Sequence, residues 1–212
     1  MTTLVLIAKE PLPGKAKTRL HPPLTLEQAA ELAAACIADT LAAIDLVPAS
    51  RRILLFDGVN APEGTDDYDV IPQAHGDLDQ RLGAIFDEVS GPMVLIGMDT
   101  PQVTARHLAP AFERWPGDVD AFFGPAVDGG FWALGMREPR GDLIRGVTMS
   151  RDDTGHLQLR RLADAGLRVA HLDELIDVDE IDDAFDVAAA APHSIFASTL
   201  ASFGVEDARV IA

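Results

Sequence analysis

Cysteine occurs once in this chain, at Cys36, so no disulfide framework exists within it and a reducing compartment is expected. Long apolar runs are missing too. No stretch approaches the roughly 20 apolar residues that span a bilayer, and the first apolar run meets Lys9 and Glu10 too early for a secretory leader. The expectation is a soluble, cytoplasmic protein without a transmembrane segment. Positive charge is scarce: 17 Lys and Arg stand against 34 Asp and Glu, a formal net charge of -17. Such a surface repels polyanions, which argues against a nucleic-acid polymer as partner but allows a small anion in one cationic spot. Common catalytic signatures are also lacking. The histidines are scattered, and there is no H-E-x-x-H, CxxC, G-x-S-x-G or G-x-G-x-x-G.

What positive charge there is concentrates near the start. The chain's three lysines, Lys9, Lys15 and Lys17, all fall in the stretch LVLIAKEPLPGKAKTRL from Leu4 to Leu20, with Arg19 beside them. An apolar run that ends at Pro and Gly reads as a strand buried on both faces, and the charged loop emerges at its carboxyl end. In open α/β sheets that edge is where ligands bind. Ammonium groups act as compact charges for phosphate and a guanidinium grips two oxygens, so Lys9, Lys15, Lys17 and Arg19 around Gly14 point to a di- or triphosphate. The loop is not a Walker A motif, because Gly14 is its sole glycine.

Along the chain, Thr25-Leu-Glu-Gln28 has the form of a capping box, and a helical Ala/Leu/Ile pattern follows to about Leu46. Buried strands are expected at Arg51–Phe56, Tyr68–Ile71 and Pro92–Met98, with a helix over Leu78–Val89 between the last two. Gln73 and Arg81 flank that helix's entry, where Gly76 allows close backbone approach and Asp77 suits an N-cap. Two strands joined by Asp128-Gly129 read as a hairpin, then come a helix from Thr154, a strand at Leu167–Leu172 and helices from about Glu180 and Pro192. Strands alternating with helices imply one mainly parallel sheet.

Carboxylates are expected at the same edge as the lysine loop. Asp99 ends the PMVLIGM strand, and Asp177 and Asp179 are alternate residues that on an extended segment face one side. Oxygen ligands suit a hard cation, so Mg²⁺ or Mn²⁺ offsetting diphosphate charge is the functional reading of these aspartates. Turn and helix-capping roles account for them equally. Asp128 is both a hairpin residue and a candidate general base, and Trp132 is either a stacking surface in the cleft or a core aromatic.

The segments AKEPLPGKAKTRL, GDLDQRL, LIGMDTP, GPAVDGGFWALG and DVDEIDDA, in that order, resemble bacterial glycosyltransferase A-like proteins once classed as a domain of unknown function. These are nucleotide-diphospho-sugar transferases related to a glycosyltransferase of arsenosugar biosynthesis. The N-terminal loop is also similar to that of the guanylyltransferases of the F420 pathway. The resemblance implies a GT-A fold, a Rossmann-like three-layer α/β/α sandwich with a mixed, mainly parallel sheet and a small hairpin extension, spanning residues 1–212 as one domain. It places the phosphate loop on Lys15, Lys17 and Arg19, metal ligands on Asp99, Asp177 and Asp179, and the acceptor side around Gly129, Gly130, Trp132 and Ser150. The family's Trp-Ser-Thr element stands here as Met149-Ser150-Arg151, and the Thr-Pro after Asp-Val-Asp is Glu180-Ile181. The implied activity is metal-dependent transfer from a nucleoside-diphosphate sugar to a small acceptor. Nucleotidyl transfer with pyrophosphate release is the alternative, and a non-catalytic nucleotide-sugar-binding protein the alternative of another class.

Overall fold

The structure is a computed structural model that describes residues 1–113 and 115–209. Seven strands, β1 (Thr3–Lys9), β2 (Arg51–Asp57), β3 (Asp69–Pro72), β4 (Met93–Gly97), β5 (Ala121–Pro125), β6 (Phe131–Met136) and β7 (Val169–His171), form one sheet in the order β3-β2-β1-β4-β6-β5-β7. β1 runs parallel to β2 and β4, β2 to β3 and β5 to β7, while β6 is antiparallel to both neighbours. The carboxyl ends of β1, β2, β3, β4, β5 and β7 therefore open on one edge, together with the start of β6. Loops that carry chemistry converge there.

Alternation within the strands separates two cores. Leu4, Leu6 and Ala8 of β1 face one side, with Leu54, Phe56, Val94 and Ile96, under α1 (Leu26–Ile44) and α3 (Ala105–Phe112). Val5 faces the other, with Ile53, Leu55 and Leu95, under α2 (Leu78–Glu88) and α4 (Thr154–Asp164). Both faces are covered at the centre of the sheet, which is why β1, β2 and β4 read as continuous apolar runs, whereas the edge strand β3, expected to be buried, is largely exposed.

Helix α1 begins at the expected capping box: Thr25 Oγ accepts from the Gln28 N–H at 3.2 Å, and Gln28 Oε1 accepts from the Thr25 N–H at 2.9 Å. It is buried on two sides. Ala33, Ile37, Leu41 and Ile44 meet the sheet, while Ala29, Leu32 and Cys36 meet Val187 of α5 (Ile181–Ala190) and Phe196 and Leu200 of α6 (Ile195–Ser202). This wide apolar girth explains why the sequence from Thr25 shows a general Ala/Leu richness instead of one narrow stripe. Cys36 is a buried free thiol, pushed up to about 12 by burial.

The hairpin is part of the sheet itself. Trp132 and Ala133 on one side and Leu134 and Met136 on the other are buried, so β5 and β6 are held inside the sheet by apolar contacts on both faces and do not project as an extension. Among the described residues no helix is long and apolar enough to cross a membrane.

Candidate functional site

A cleft of about 740 Å³ lies along the carboxyl edge, within the size range of small-molecule sites. Its wall is made by the ends of β1, β4, β6 and α2, by the loop before α4 and by the segment before α5. Lys9, Lys17, Arg19, Gln73, Arg81, Asp99, Asp128, Gly130, Trp132, Ser150, Asp177 and Asp179 all border it. Residues from both ends of the chain thus meet at one edge.

Lys17 is the pivot of the acidic half. Its backbone is in the left-handed region at φ 50°, and the side chain is turned inward with 5% exposure. The ammonium lies 2.6 Å from Asp99 Oδ1 and also donates to the Val178 carbonyl. Burial by itself would lower its pKa; the Asp99 carboxylate outweighs that, and the net direction is upward. The sequence reading gave Lys17 to phosphate. In the structure two of its three donors are committed to protein, so its first role is to neutralise and brace the carboxylates.

Asp177 and Asp179 reach the cleft as alternation requires, and Val178 between them is fully buried against Ala184 and Val187. Asp179 Oδ2 takes Arg19 Nη1 at 3.0 Å. The Asp177 carboxylate has no hydrogen-bond or ion-pair partner among the described residues, and it is pushed up to about 7, chiefly by burial and then by the charge of Asp99, with Asp128 and Asp179 adding and Lys17 opposing. Asp179 is raised for the same first reason. Four carboxylates therefore share one electrostatic neighbourhood with a single buried cation.

The opposite half is built differently. Gln73 Nε2 donates to the Ala8 carbonyl at 2.9 Å and the Leu55 carbonyl at 3.3 Å, and Gln73 Oε1 receives Arg81 Nη1 at 2.7 Å. A neutral amide locked onto the ends of β1 and β2 thus holds Arg81 on the wall of the cleft, which Lys9 also lines. Arg81 Nε is buried without a partner. That leaves an unused donor on a group already positioned.

At the hairpin, Asp128 Oδ1 accepts from the Gly130 N–H at 2.8 Å, which leaves its second oxygen free at the cleft. Gly129 has φ +87°, and a Cβ there would lie 1.9 Å from the Asp152 carbonyl oxygen, so the loop before α4 docks directly on this turn. The Gly155 N–H donates to the Gly129 carbonyl at 2.8 Å. Thr154 fastens the same loop: its hydroxyl accepts from the Arg151 N–H at 3.1 Å and donates to the Thr148 carbonyl at 2.9 Å. Ser150 inside it has φ 58°. Lys17 and Ser150 are the two non-glycine residues with positive φ among those described, and both border this cleft. Strain of this kind persists where surrounding structure over-determines it, commonly at functional sites.

Several expected site residues lie elsewhere. Lys15 and Gly14 are exposed on the outer side of the loop, where the tight turn closed by Lys15 N–H to the Leu12 carbonyl turns them away from the cleft. Gly76 and Asp77 serve the start of α2, with Gly76 at φ +113° and the Asp77 carbonyl accepting from Gln80 and Arg81, and neither borders the cleft. Gly129 acts through packing and does not line the wall. Trp132 offers no stacking face: it is 2% exposed, its ring fills the space over Gly124, and its indole N–H donates to the Asp173 carbonyl at 3.0 Å.

Met149 and Glu180, at positions where the chain departs from the family's pattern, line the cleft, as do residues without such a signal. Asp152, Glu180 and Asp183 line the acidic half, and Ile7, Leu82, Leu95, Phe131 and Met149 give the cleft an apolar floor. Asp183 carried a signal, since it stands three residues after Glu180 and caps α5 by accepting from the Asp179 and Glu180 N–H groups at 3.1 and 2.7 Å. Ile7 did as well, through strand alternation.

The donor set suits a hard divalent cation. All candidate ligands are carboxylates, and the Asp177 oxygens lack a partner among the described residues; Asp99 has one oxygen engaged by Lys17. Among the described residues no group of three or more His, Cys, Asp or Glu is preassembled for a metal. Mg²⁺ usually takes one or two carboxylates and completes its shell with water and ligand phosphates, so Asp99 and Asp177 fit a cation shared with a bound diphosphate.

Comparison with known structures agrees with this fold. A protein of Desulfovibrio desulfuricans G20, provisionally assigned as a nucleotide-diphospho-sugar transferase, superposes with TM-score 0.82 at 23% identity over 95% of this chain and 94% of that one. The 2-C-methyl-D-erythritol 4-phosphate cytidylyltransferase of Thermus thermophilus gives TM-score 0.54 at 16% identity over 91% of this chain and 100% of that one. Rv0371C of Mycobacterium tuberculosis H37Rv, in complex with manganese, gives TM-score 0.52 at 21% identity over 88% of this chain and 96% of that one. No curated protein sequence matches the chain. Residues 31–151, more than half of the chain, match the model for the family described as uncharacterized protein conserved in bacteria (DUF2064), and the chain belongs to that family.

Proposed function

We propose that this protein is a metal-dependent transferase acting on a nucleotide-activated donor, specifically a glycosyltransferase that uses a nucleoside-diphosphate sugar. One observation carries the reading: a single cleft at the carboxyl edge holds free cations at one end and a cluster of under-neutralised carboxylates at the other. A diphosphate bridges such a cleft naturally, with its oxygens toward Lys9 and Arg81. Asp99 and Asp177, with Asp179 beside them, would hold Mg²⁺ or Mn²⁺. Bound there, the cation would supply charge neutralisation for the departing diphosphate. The free oxygen of Asp128 stands ready to accept the acceptor's proton.

The likeness to the Desulfovibrio protein assigned to nucleotide-diphospho-sugar transfer supports this branch. The Thermus cytidylyltransferase likeness supports the second reading, nucleotidyl transfer with pyrophosphate release. A thermal-shift panel with Mn²⁺ or Mg²⁺ tests the choice by comparing nucleoside triphosphates, nucleoside diphosphates and nucleotide sugars. A ligand present at a hundredfold excess over its dissociation constant stabilises the folded state by about 2.7 kcal/mol. A metal-dependent shift with one nucleotide sugar is the expected result; a shift confined to a triphosphate selects the nucleotidyltransferase, and no shift with any nucleotide defeats both.

A further inference from the structure

The charge of the cleft is divided along the sheet edge, and we infer that this division sets the class of the acceptor: an uncharged polyol or a cationic amine, with phosphorylated and carboxylated acceptors kept out. The inference rests on the transferase reading above. Lys9 at the end of β1 and Arg81, held by Gln73, stand at the β1–β3 side. Beyond the ends of β4, β5 and β7 the cleft carries Asp99, Asp128 and Asp177, rimmed by Asp152, Glu180 and Asp183.

Three cations enter that second half, and each is already matched. Lys17 is 2.6 Å from Asp99, Arg19 is 3.0 Å from Asp179, and Arg151 grips Asp153 through Nε at 3.0 Å and Nη2 at 3.3 Å. Asp128, Asp152 and Asp177 have no cationic partner among the described residues. If Asp99 and Asp177 take a divalent cation, Asp128, Asp152, Glu180 and Asp183 still face the space where the acceptor must stand. A phosphate or carboxylate placed there meets like charge with no free counterion, while an ammonium gains several partners.

The chemistry is consistent with that guest. A hydroxyl oxygen of the acceptor forms a bond to the donor's anomeric carbon as the bond from that carbon to the diphosphate oxygen breaks; an ammonium on the same molecule serves recognition alone. The nucleoside diphosphate leaves with the electron pair, and the acceptor's proton passes to the free oxygen of Asp128. A phosphate nucleophile would have to approach the same carboxylate as an anion.

A matched set of probes on one carbon skeleton tests this: glycerol, 3-amino-1,2-propanediol and glycerol 3-phosphate, titrated by ligand-observed NMR into the full chain with Mg²⁺ and a nucleoside diphosphate. The nucleotide is titrated first, and its failure to bind defeats the transferase reading itself. With nucleotide bound, the amine and glycerol are expected to bind at least about tenfold more tightly than the phosphate. Equal or tighter binding of glycerol 3-phosphate overturns the inference, and so does the absence of binding by all three at tens of millimolar. Two variants check the cause. Asp152→Lys adds a cation on an exposed position, and Asp153→Asn frees Arg151 from its partner; each should narrow or reverse the discrimination. Unchanged discrimination in both folded variants overturns the electrostatic explanation.

Discussion

At the β1–β3 end of the cleft a neutral amide does the positioning: Gln73 is clamped on two strand-end carbonyls and hands Arg81 to the wall. At the β4–β7 end positioning is done by charge, with the buried Lys17 ammonium drawn onto Asp99 while Asp177 faces it without any donor of its own. The first arrangement is positioned before a ligand arrives, with only Arg81 Nε left unpartnered among its donors. The second holds an excess of negative charge that a cation would relieve, so the two ends should respond in opposite ways to charge removal, pH and metal.

Lys17→Met is expected to have the largest effect, because it leaves a carboxylate cluster with no buried counterion. Removing one partner of a buried ion pair costs roughly 3–5 kcal/mol; Asp99 is 41% exposed, which moves the expectation to the lower end of that range. Urea unfolding measures it, and added Mn²⁺ should recover part of the loss by supplying the missing charge. Lys17→Arg should not restore full stability, since a planar fork cannot replace a compact ammonium in a 5% exposed position. A Met variant as stable as the parent would mean that the ammonium does not brace the carboxylates.

The pH response should be nearly as large and has a definite sign. Asp177 is raised from the usual carboxylate value of 3.8 to about 7 in the folded chain. Between about pH 4 and pH 7 the folded state therefore keeps a proton that the unfolded state has released, so this group's contribution to stability is complete at acid pH and is lost as pH rises toward 7. The full shift corresponds to about 4 kcal/mol as an upper limit. Asp177→Asn should flatten the stability curve between about pH 4 and pH 7 relative to the parent, measured with EDTA present. Parallel curves for the two proteins would place the Asp177 carboxylate in water.

Much of this contrast was readable in the sequence, and the unreadable part has one physical cause. The strands, α1 with its capping box and the Asp128-Gly129 hairpin follow from periodicity and turn chemistry, which act within a few residues. Asp99, Asp177 and Asp179 at the cleft follow from strand ends and alternation. Direction inside the lysine loop does not: Lys15 and Lys17 belong to the same motif, yet one is outside and the other nearly sealed, because a left-handed backbone at Lys17 and a buried Ala16 decide which way each side chain leaves. The choice between the two readings of Trp132, stacking surface or core aromatic, is made in the same way, since burial over Gly124 depends on how β5 and β6 pair. The acidic half was only partly seen, because Asp152 reaches it through the contact of one loop's carbonyl with Gly129, a pairing between distant loops that no local pattern encodes.

Gln73→Leu probes the neutral end and should act mainly on ligand affinity. The substitution removes the amide's bonds to Ala8, Leu55 and Arg81, each worth about 1 kcal/mol net, and lets Arg81 leave the wall. Nucleoside-diphosphate affinity measured by calorimetry with Mg²⁺ should fall about five- to tenfold, while the pH profile of stability keeps its shape, because the Asp177 neighbourhood is untouched. A Leu variant that binds as the parent does would remove Arg81 from the ligand's surroundings.

The smallest expected effect belongs to Lys15→Ala, and it is the sharpest test of the comparison because a motif reading treats Lys15 and Lys17 alike. Lys15 is exposed, does not border the cleft, and forms no salt bridge among the described residues. Surface substitutions of this kind usually change stability by less than about 0.5 kcal/mol. Its charge stands outside the cleft proposed to hold the diphosphate, where solvent screening over a Debye length of about 8 Å weakens its attraction. Nucleotide affinity at physiological salt should therefore stay within about twofold of the parent, with a modest fall in association rate at low salt. A loss approaching that of Lys17→Met would show that the loop swings Lys15 inward when a ligand binds, and the division of labour between the two lysines would then belong to the free protein alone.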